Sequence, residues 1–252
     1  MHKKRGQAST FMIIGVTALL LIILIFFLRD SLREKFRGAI NEEEYLSSQL
    51  NQIRKNINSC VVKETEIAAK ILGESGGHFN PEEYISYHGQ KISTLCSNIK
   101  IEKKCSAKPI DISELNQRLS EHLKSKVKNC IDLGGYRKKD YKLSDEEFAL
   151  SANIQEKSII VEVDYPITLT LENKQAKMSQ IINNVKIPLG AGVILANNII
   201  GQEATYGKFD VITASLVSLG KYTIRERKSY PHKIYIIDFG NYVFNLGIEG
   251  ET

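Results

Sequence analysis

Phe148 to Leu171 reads FALSANIQEKSIIVEVDYPITLTL, and the period of this stretch decides the fold. Phe148, Leu150, Ala152 and Ile154 alternate with their neighbours, a polar turn Gln155-Glu156-Lys157-Ser158 follows, and Ile159, Val161, Val163, Tyr165, Ile167, Leu169 and Leu171 alternate again. A period of two places every second side chain on one face, so the stretch predicts a hairpin with one buried face. Pro166 has no amide hydrogen for a central ladder, which predicts an edge or a bulge there. Lys177 to Ile187 can add a third strand.

Further along the chain, Pro188 to Gln202 reads as a helix buried through Val193, Ala196 and Ile200, with Ile199 beside them, and Asp210 to Leu219 as a shorter helix that Gly220 ends. Tyr222 to Arg227, Lys233 to Phe239 and Tyr242 to Ile248 are the last strands, the final two joined by Gly240-Asn241 as a tight turn. Toward the N-terminus, Ile112, Leu115, Leu119, Leu123, Val127 and Cys130 recur at helical spacing behind Asp111 as N-cap, and Gly134-Gly135 is expected to stop that helix. Tyr84 to Tyr87 and Gln90 to Ile92 flank His88-Gly89 as a hairpin. Leu46, Leu50, Ile53, Ile57 and Cys60 follow each other at steps of four and three after Glu42, Glu43 and Glu44, the pattern of a helix that continues or restarts through Val61 to Leu72 and ends at Gly73 to Gly77. Helices and mostly antiparallel strands alternate without regular β-α-β units, so the class is α+β.

Ahead of this body stands Phe11 to Leu28, FMIIGVTALLLIILIFFL, with no charge and no proline. As a helix its length of about 27 Å matches the hydrocarbon thickness of a bilayer. The expected organisation is a basic cytoplasmic N-terminus over 1–10, a transmembrane helix over 11–28, a helical stalk over 29–59, and an extracytoplasmic α+β domain of helices packed on a mostly antiparallel sheet over 60–252. Basic residues flank the run on both sides. A cytoplasmic N-terminus is favoured because short basic clusters stay behind easily and because of the cysteines.

The formal net charge of +5 includes Lys3, Lys4 and Arg5, and only +2 remains beyond them. Despite a sequence pI near 8.8, so small a surplus lacks the long-range field of a nucleic-acid binder. Nucleic acid is therefore not an expected partner. The clusters Lys124, Lys126, Lys128 and Arg137, Lys138, Lys139 could touch lipid headgroups or a polyanionic polymer, but lysines two apart do not share a helix face and read as solvated surface.

The four cysteines, Cys60, Cys96, Cys105 and Cys130, form no CxxC pair and no Cys/His cluster at zinc spacing. Outside the cytoplasm an even number argues for disulfides; free core thiols and a metal site are the alternatives. Three pairings are open. Cys60 and Cys130 each share the phase of a buried helical stripe, and Cys96 and Cys105 bracket a short lysine-rich excursion, so the expected bridges are Cys60 to Cys130 and Cys96 to Cys105. His2, His78, His88, His122 and His232 include no HExxH, and no Gly-x-Ser-x-Gly occurs. Surface histidines are the expectation, with no catalytic, cofactor or metal residue assigned.

The sequence Lys3-Lys4-Arg5-Gly6 running into small polar residues and the apolar segment is similar to the class III signal peptides of archaeal type IV pilin-like proteins. That resemblance implies cleavage between Gly6 and Gln7. Gln7 and Ser9 fit the family's start, whereas Phe11 stands at its glutamate position and Gly15 at its later leucine; an uncleaved signal anchor is the alternative. More broadly the chain resembles a group of uncharacterised archaeal single-pass membrane proteins. The resemblance rests on Lys4-Arg5-Gly6-Gln7, on Cys60 followed by a helix and Gly76-Gly77, on Asn129-Cys130-Ile131, and on Val163-Asp164-Tyr165-Pro166.

The expected function is a membrane-anchored extracytoplasmic protein with a binding or structural role in the cell envelope, with the question of an enzymatic activity left open. Its partners would be the lipid bilayer through Phe11 to Leu28 and an envelope protein or polymer, with the membrane helix and stalk as the route to any homo-oligomer. A pilin-like filament subunit is one alternative. An envelope hydrolase is the other, and a deep pocket lined by two carboxylates or a histidine pair would favour it.

Overall fold

A computed structural model describes residues 41–98 and 105–250, together with Leu19, Ile23 and Leu24. The first element is a helix, α1 (Glu42–Glu74), whose side-chain cap is Asn41, accepting from the Glu43 amide at 3.3 Å. Glu42, Glu43 and Glu44 in its first turn complement the helix dipole. Its stripe of Leu46, Leu50, Ile53, Ile57, Cys60, Val61, Ala68 and Leu72 is buried without a break, and residues 42–59 share one core with the rest of the chain.

Four strands make the first sheet. β6 (Ile159–Leu171) runs through its middle, β7 (Lys174–Val185) pairs along one side, and β4 (Lys142–Asp145) and β5 (Ala149–Ile154) succeed each other along the other, all antiparallel. Pro166 falls where β5 gives way to β4, and the pairing with β7 shifts between Asp164 and Ile167. The missing amide hydrogen is thus absorbed by a bulge within a central strand. Helix α2 (Ile112–Cys130) lies along β5 and is capped by Asp111, whose Oδ1 accepts from the Ser113 amide at 2.7 Å. Asn116 Oδ1 and Ser120 Oγ on α2 accept the amides of Ile154 and Ala152, each at 2.8 Å, so the outer edge of β5 is covered by side chains.

The second sheet has the order β1 (Tyr84–Tyr87), β2 (Gln90–Asn98), β10 (Val243–Ile248), β9 (His232–Asp238) and β8 (Thr223–Ser229), with β3 (Cys105–Ala107) also on β2. All its pairs are antiparallel except β2 with β10. His88 and Gly89 take positive φ in the β1–β2 turn, as a two-residue hairpin requires.

Helix α4 (Leu189–Tyr206) joins the two sheets. A side chain at Gly190 would meet the Gln155 carbonyl of the β5–β6 turn at 2.4 Å, and one at Gly192 would meet the Phe244 ring of β10 at 2.8 Å. Only hydrogen fits at either point, and the helix backbone sits directly against both layers. Two short helices complete the set, α3 (Gly134–Arg137) and α5 (Val211–Val217). Gly134 does not stop α2 as expected. The Ile131 cap ends α2, and the Gly134 amide donates to Asp132 Oδ1 at 2.7 Å to open α3.

The expected fold class needs one correction. Among the described residues no helix is long and apolar enough to cross a membrane. The longest, α1, gives one stripe to the protein core and carries charge opposite it, with Arg54, Lys55, Lys63 and Glu66 exposed. The architecture of the described residues is therefore an α+β body that includes no transmembrane helix. Apart from Leu19, Ile23 and Leu24, the expected span Phe11 to Leu28 lies outside the described residues, as do the Gly6–Gln7 bond and residues 29–40 of the expected stalk.

Candidate functional site

The long disulfide joins two helices packed through apolar stripes, and the short one joins two paired strands. Cys60 on α1 is bonded to Cys130 at the end of α2, with Cα atoms 5.8 Å apart, and Cys96 on β2 to Cys105 on β3, with Cα atoms 5.3 Å apart. No cysteine is left free. The second bridge closes the strand pair that leads to Lys108, and there a cleft opens.

The cleft has a volume of about 390 Å³ and lies between the segment after α1, the strand β2 and the start of α2. Gly76 and Gly77 shape its first wall, with φ of 72° and 83°. A side chain at Gly76 would come 3.0 Å from the Asn245 carbonyl, and one at Gly77 would come 2.8 Å from Ile110 Cδ1. Glycine is needed for both the left-handed backbone and the close approach. The double turn delivers His78, Pro81, Glu82 and Glu83 to the cleft. The opposite wall is Lys108 to Asp111 followed by Glu114 and Arg118 of α2. It is held by Asn197 of α4, which accepts from the Ile110 amide at 2.9 Å and donates to the Ile110 carbonyl at 3.0 Å.

Charge in the cleft is mixed. The Lys108 ammonium is ion-paired with Glu83 Oε2, which also accepts from Ser97 Oγ at 3.3 Å. Lys108 holds the Glu83 carboxyl below the usual carboxylate range. A general acid needs the opposite shift, so Glu83 is not poised to donate a proton. Burial depresses the half-buried His78 imidazole, with Arg118 acting in the same direction. As a neutral ring it donates from Nδ1 to the Gly76 carbonyl at 3.2 Å, leaving Nε2 an acceptor. Arg118 is ion-paired with Glu114, its Nε 3.7 Å from Glu114 Oε1, and that buried Nε has no partner within hydrogen-bond distance among the described residues. A second hollow of about 600 Å³ adjoins across Glu83 and Lys108 and is lined on its far side by Tyr84, His232 and Glu249.

The histidines are not uniformly on the surface. His78 and His122 are half-buried, the latter stacked on Phe79 with centroids 4.1 Å apart, and His232 opens β9 and accepts from the Gly250 amide at 3.1 Å. They do not converge on one site, and His2 lies outside the described residues. Lys124, Lys126, Lys128, Arg137, Lys138 and Lys139 are solvent-exposed, Arg137 paired with Asp145. Among the described residues no group of three or more His, Cys, Asp or Glu side chains could hold a metal ion. Comparison with family models, with curated proteins and with solved structures returns no match.

Proposed function

We propose that the chain is an extracytoplasmic protein of the cell envelope whose role is binding, and that the cleft between Gly76–Glu83 and Lys108–Arg118 receives a polar ligand carrying a carboxylate. The observation that carries the binding role is Arg118. Its guanidinium lines the cleft, ion-paired with Glu114 at 3.7 Å, and its buried Nε has no acceptor within hydrogen-bond distance among the described residues. Buried donors ordinarily find partners, and a fork of this kind matches a carboxylate. Glu82 and Glu83 offer the ligand's ammonium or hydroxyl groups a counterpart on the facing wall. A volume near 390 Å³ is within the small-ligand range. The extracytoplasmic placement is supported by the use of all four cysteines in disulfides, which persist in oxidising surroundings.

The test is titration calorimetry of the full chain with a zwitterionic dipeptide and with its amide-capped analogue. Saturable binding of the dipeptide, lost on capping the carboxylate and weakened on the order of tenfold by Arg118→Ala, is the expected result. Equal affinity for both compounds, or an unaffected Arg118→Ala variant, would refute the assignment. Protease added to whole cells reports the placement independently: the region 41–252 should be cut without lysis.

A further inference from the structure

At the outer edge of the second sheet, beside β8, the chain exposes apolar side chains that nothing among the described residues covers. None of the residues of α5 is buried. Ile212 is 74%, Leu216 72% and Val217 73% exposed, and Leu219 just beyond the helix is 86% exposed. Four large apolar side chains so close together differ from the single exposed leucines of any soluble surface.

The turn presenting them is built rather than loose. Asp210 Oδ1 accepts the amides of Ile212 and Thr213 at 3.1 Å each. At the far end Ser218 is buried, its Oγ 2.7 Å from the Ser215 carbonyl and 2.8 Å from that of Tyr222, and it accepts from the Gly220 amide at 3.2 Å. Between these contacts Leu219 is held at a φ of 52°. Left-handed backbone is costly for a branched side chain and persists where surrounding contacts impose it. Asparagine or glycine would relieve that cost. The position keeps an apolar side chain and turns it into solvent.

The chemistry around the patch selects its occupant. Lys208 precedes α5 and Lys221 follows it, both exposed, and Tyr206 is 73% exposed next to Lys208. The carboxylate between them, Asp210, is engaged in the helix cap. A second copy docking on the same patch would bring lysines against lysines. β8 itself, TIRERKS, is charged in the manner of an edge that resists strand pairing. Projecting apolar side chains bounded by cations and an aromatic ring match a layer of anionic headgroups over acyl chains. We propose that α5 and the turn through Lys221 form a membrane-surface contact. Ile212, Leu216, Val217 and Leu219 enter the acyl boundary of an anionic bilayer, and Lys208 and Lys221 meet its headgroups.

Amide hydrogen exchange of the full chain tests this locally, on vesicles of phosphatidylglycerol with phosphatidylcholine, on phosphatidylcholine alone and without lipid. Attachment through any other segment leaves the readout at 211–221 unmoved. Exchange there should slow on the order of fivefold on the anionic vesicles, less on the neutral ones. The effect should vanish in Leu216→Ser/Leu219→Ser and weaken in Lys208→Glu/Lys221→Glu, with the melting temperatures of both variants near that of the parent. Unchanged exchange on anionic vesicles overturns the proposal. So does protection without lipid, which assigns the patch to a second copy if it grows with protein concentration and to residues 11–28 of the same chain if it does not.

Discussion

Asn197 clasps the backbone of Ile110 at both polar atoms, accepting from its amide at 2.9 Å and donating to its carbonyl at 3.0 Å. One side chain of α4 thereby does for the segment before α2 what a neighbouring strand would do, and it fixes the cleft wall that carries Lys108 and Asp111. Asn197→Ala removes two hydrogen bonds and leaves two backbone groups short of partners. The expected loss is about 2 kcal/mol in urea unfolding. Asn197→Asp retains the acceptor and loses the donor, and should fall between the two.

The bridges should differ in weight. Cys60–Cys130 closes 70 residues and Cys96–Cys105 only 9. On the chain-entropy account their removal costs about 4 and about 3 kcal/mol respectively. Cys60→Ala/Cys130→Ala should therefore melt below Cys96→Ala/Cys105→Ala, the paired variants avoiding stray thiols. An equal fall in melting temperature for both would count against this ordering.

Acid should weaken the fold before its carboxylates titrate. His78 and His122 both have pKa values depressed first of all by burial. Below the ordinary histidine value of 6.5 the unfolded chain takes up protons that the folded chain resists, so stability falls as pH drops through that value toward the folded pKa values. Unfolding free energy measured between about pH 7 and about pH 5 should decline for the parent chain and decline less for His78→Gln/His122→Gln. Glu83, with its lowered pKa, adds a separate loss at lower pH, through and below the ordinary carboxylate value of 4.5.

Glu203 is buried on α4 and accepts from Lys233 Nζ at 3.1 and 2.9 Å and from the Tyr235 hydroxyl. Lys233 also donates to the Gly207 carbonyl at 3.2 Å. Lys233→Met strands a buried carboxylate and should cost about 3 kcal/mol. Adding Glu203→Leu should restore part of that loss, since an apolar replacement of the whole pair needs no counter-charge. Chemical unfolding of the single and double variants gives the comparison.

Local periodicity made much of the fold legible. The stripe from Leu46 to Cys60, the alternation from Ile159 to Leu171 and the Asp111 cap depend on neighbours within a turn or a strand. β3 and β4 have no signal in the sequence, because CSA and KLSD offer one buried side chain between them and no flanking turn motif; they exist through pairing with β2 and β6. The parallel contact of Thr94 and Cys96 with Gly247 and Ile248 joins segments far apart in the chain and has no local signal. Gly134 carries the sequence signature of a helix stop, yet its amide donates to Asp132 and begins another helix. For the cleft, only Gly76-Gly77 was visible. Glu83, Lys108 and Arg118 look like ordinary solvated charges until the β2–β3 pairing and the Asn197 clasp bring them to one hollow.

Lys100, Lys103 and Lys104 fall between the cysteines of the short bridge and also between those of the long one. A trypsin-like cut at any of them is therefore straddled twice. The two polypeptides so produced stay covalently joined, and neither bridge alone is needed to keep them together. Such a molecule runs as two bands after reduction and as one before it, so nicked material would pass for intact protein on a non-reducing gel.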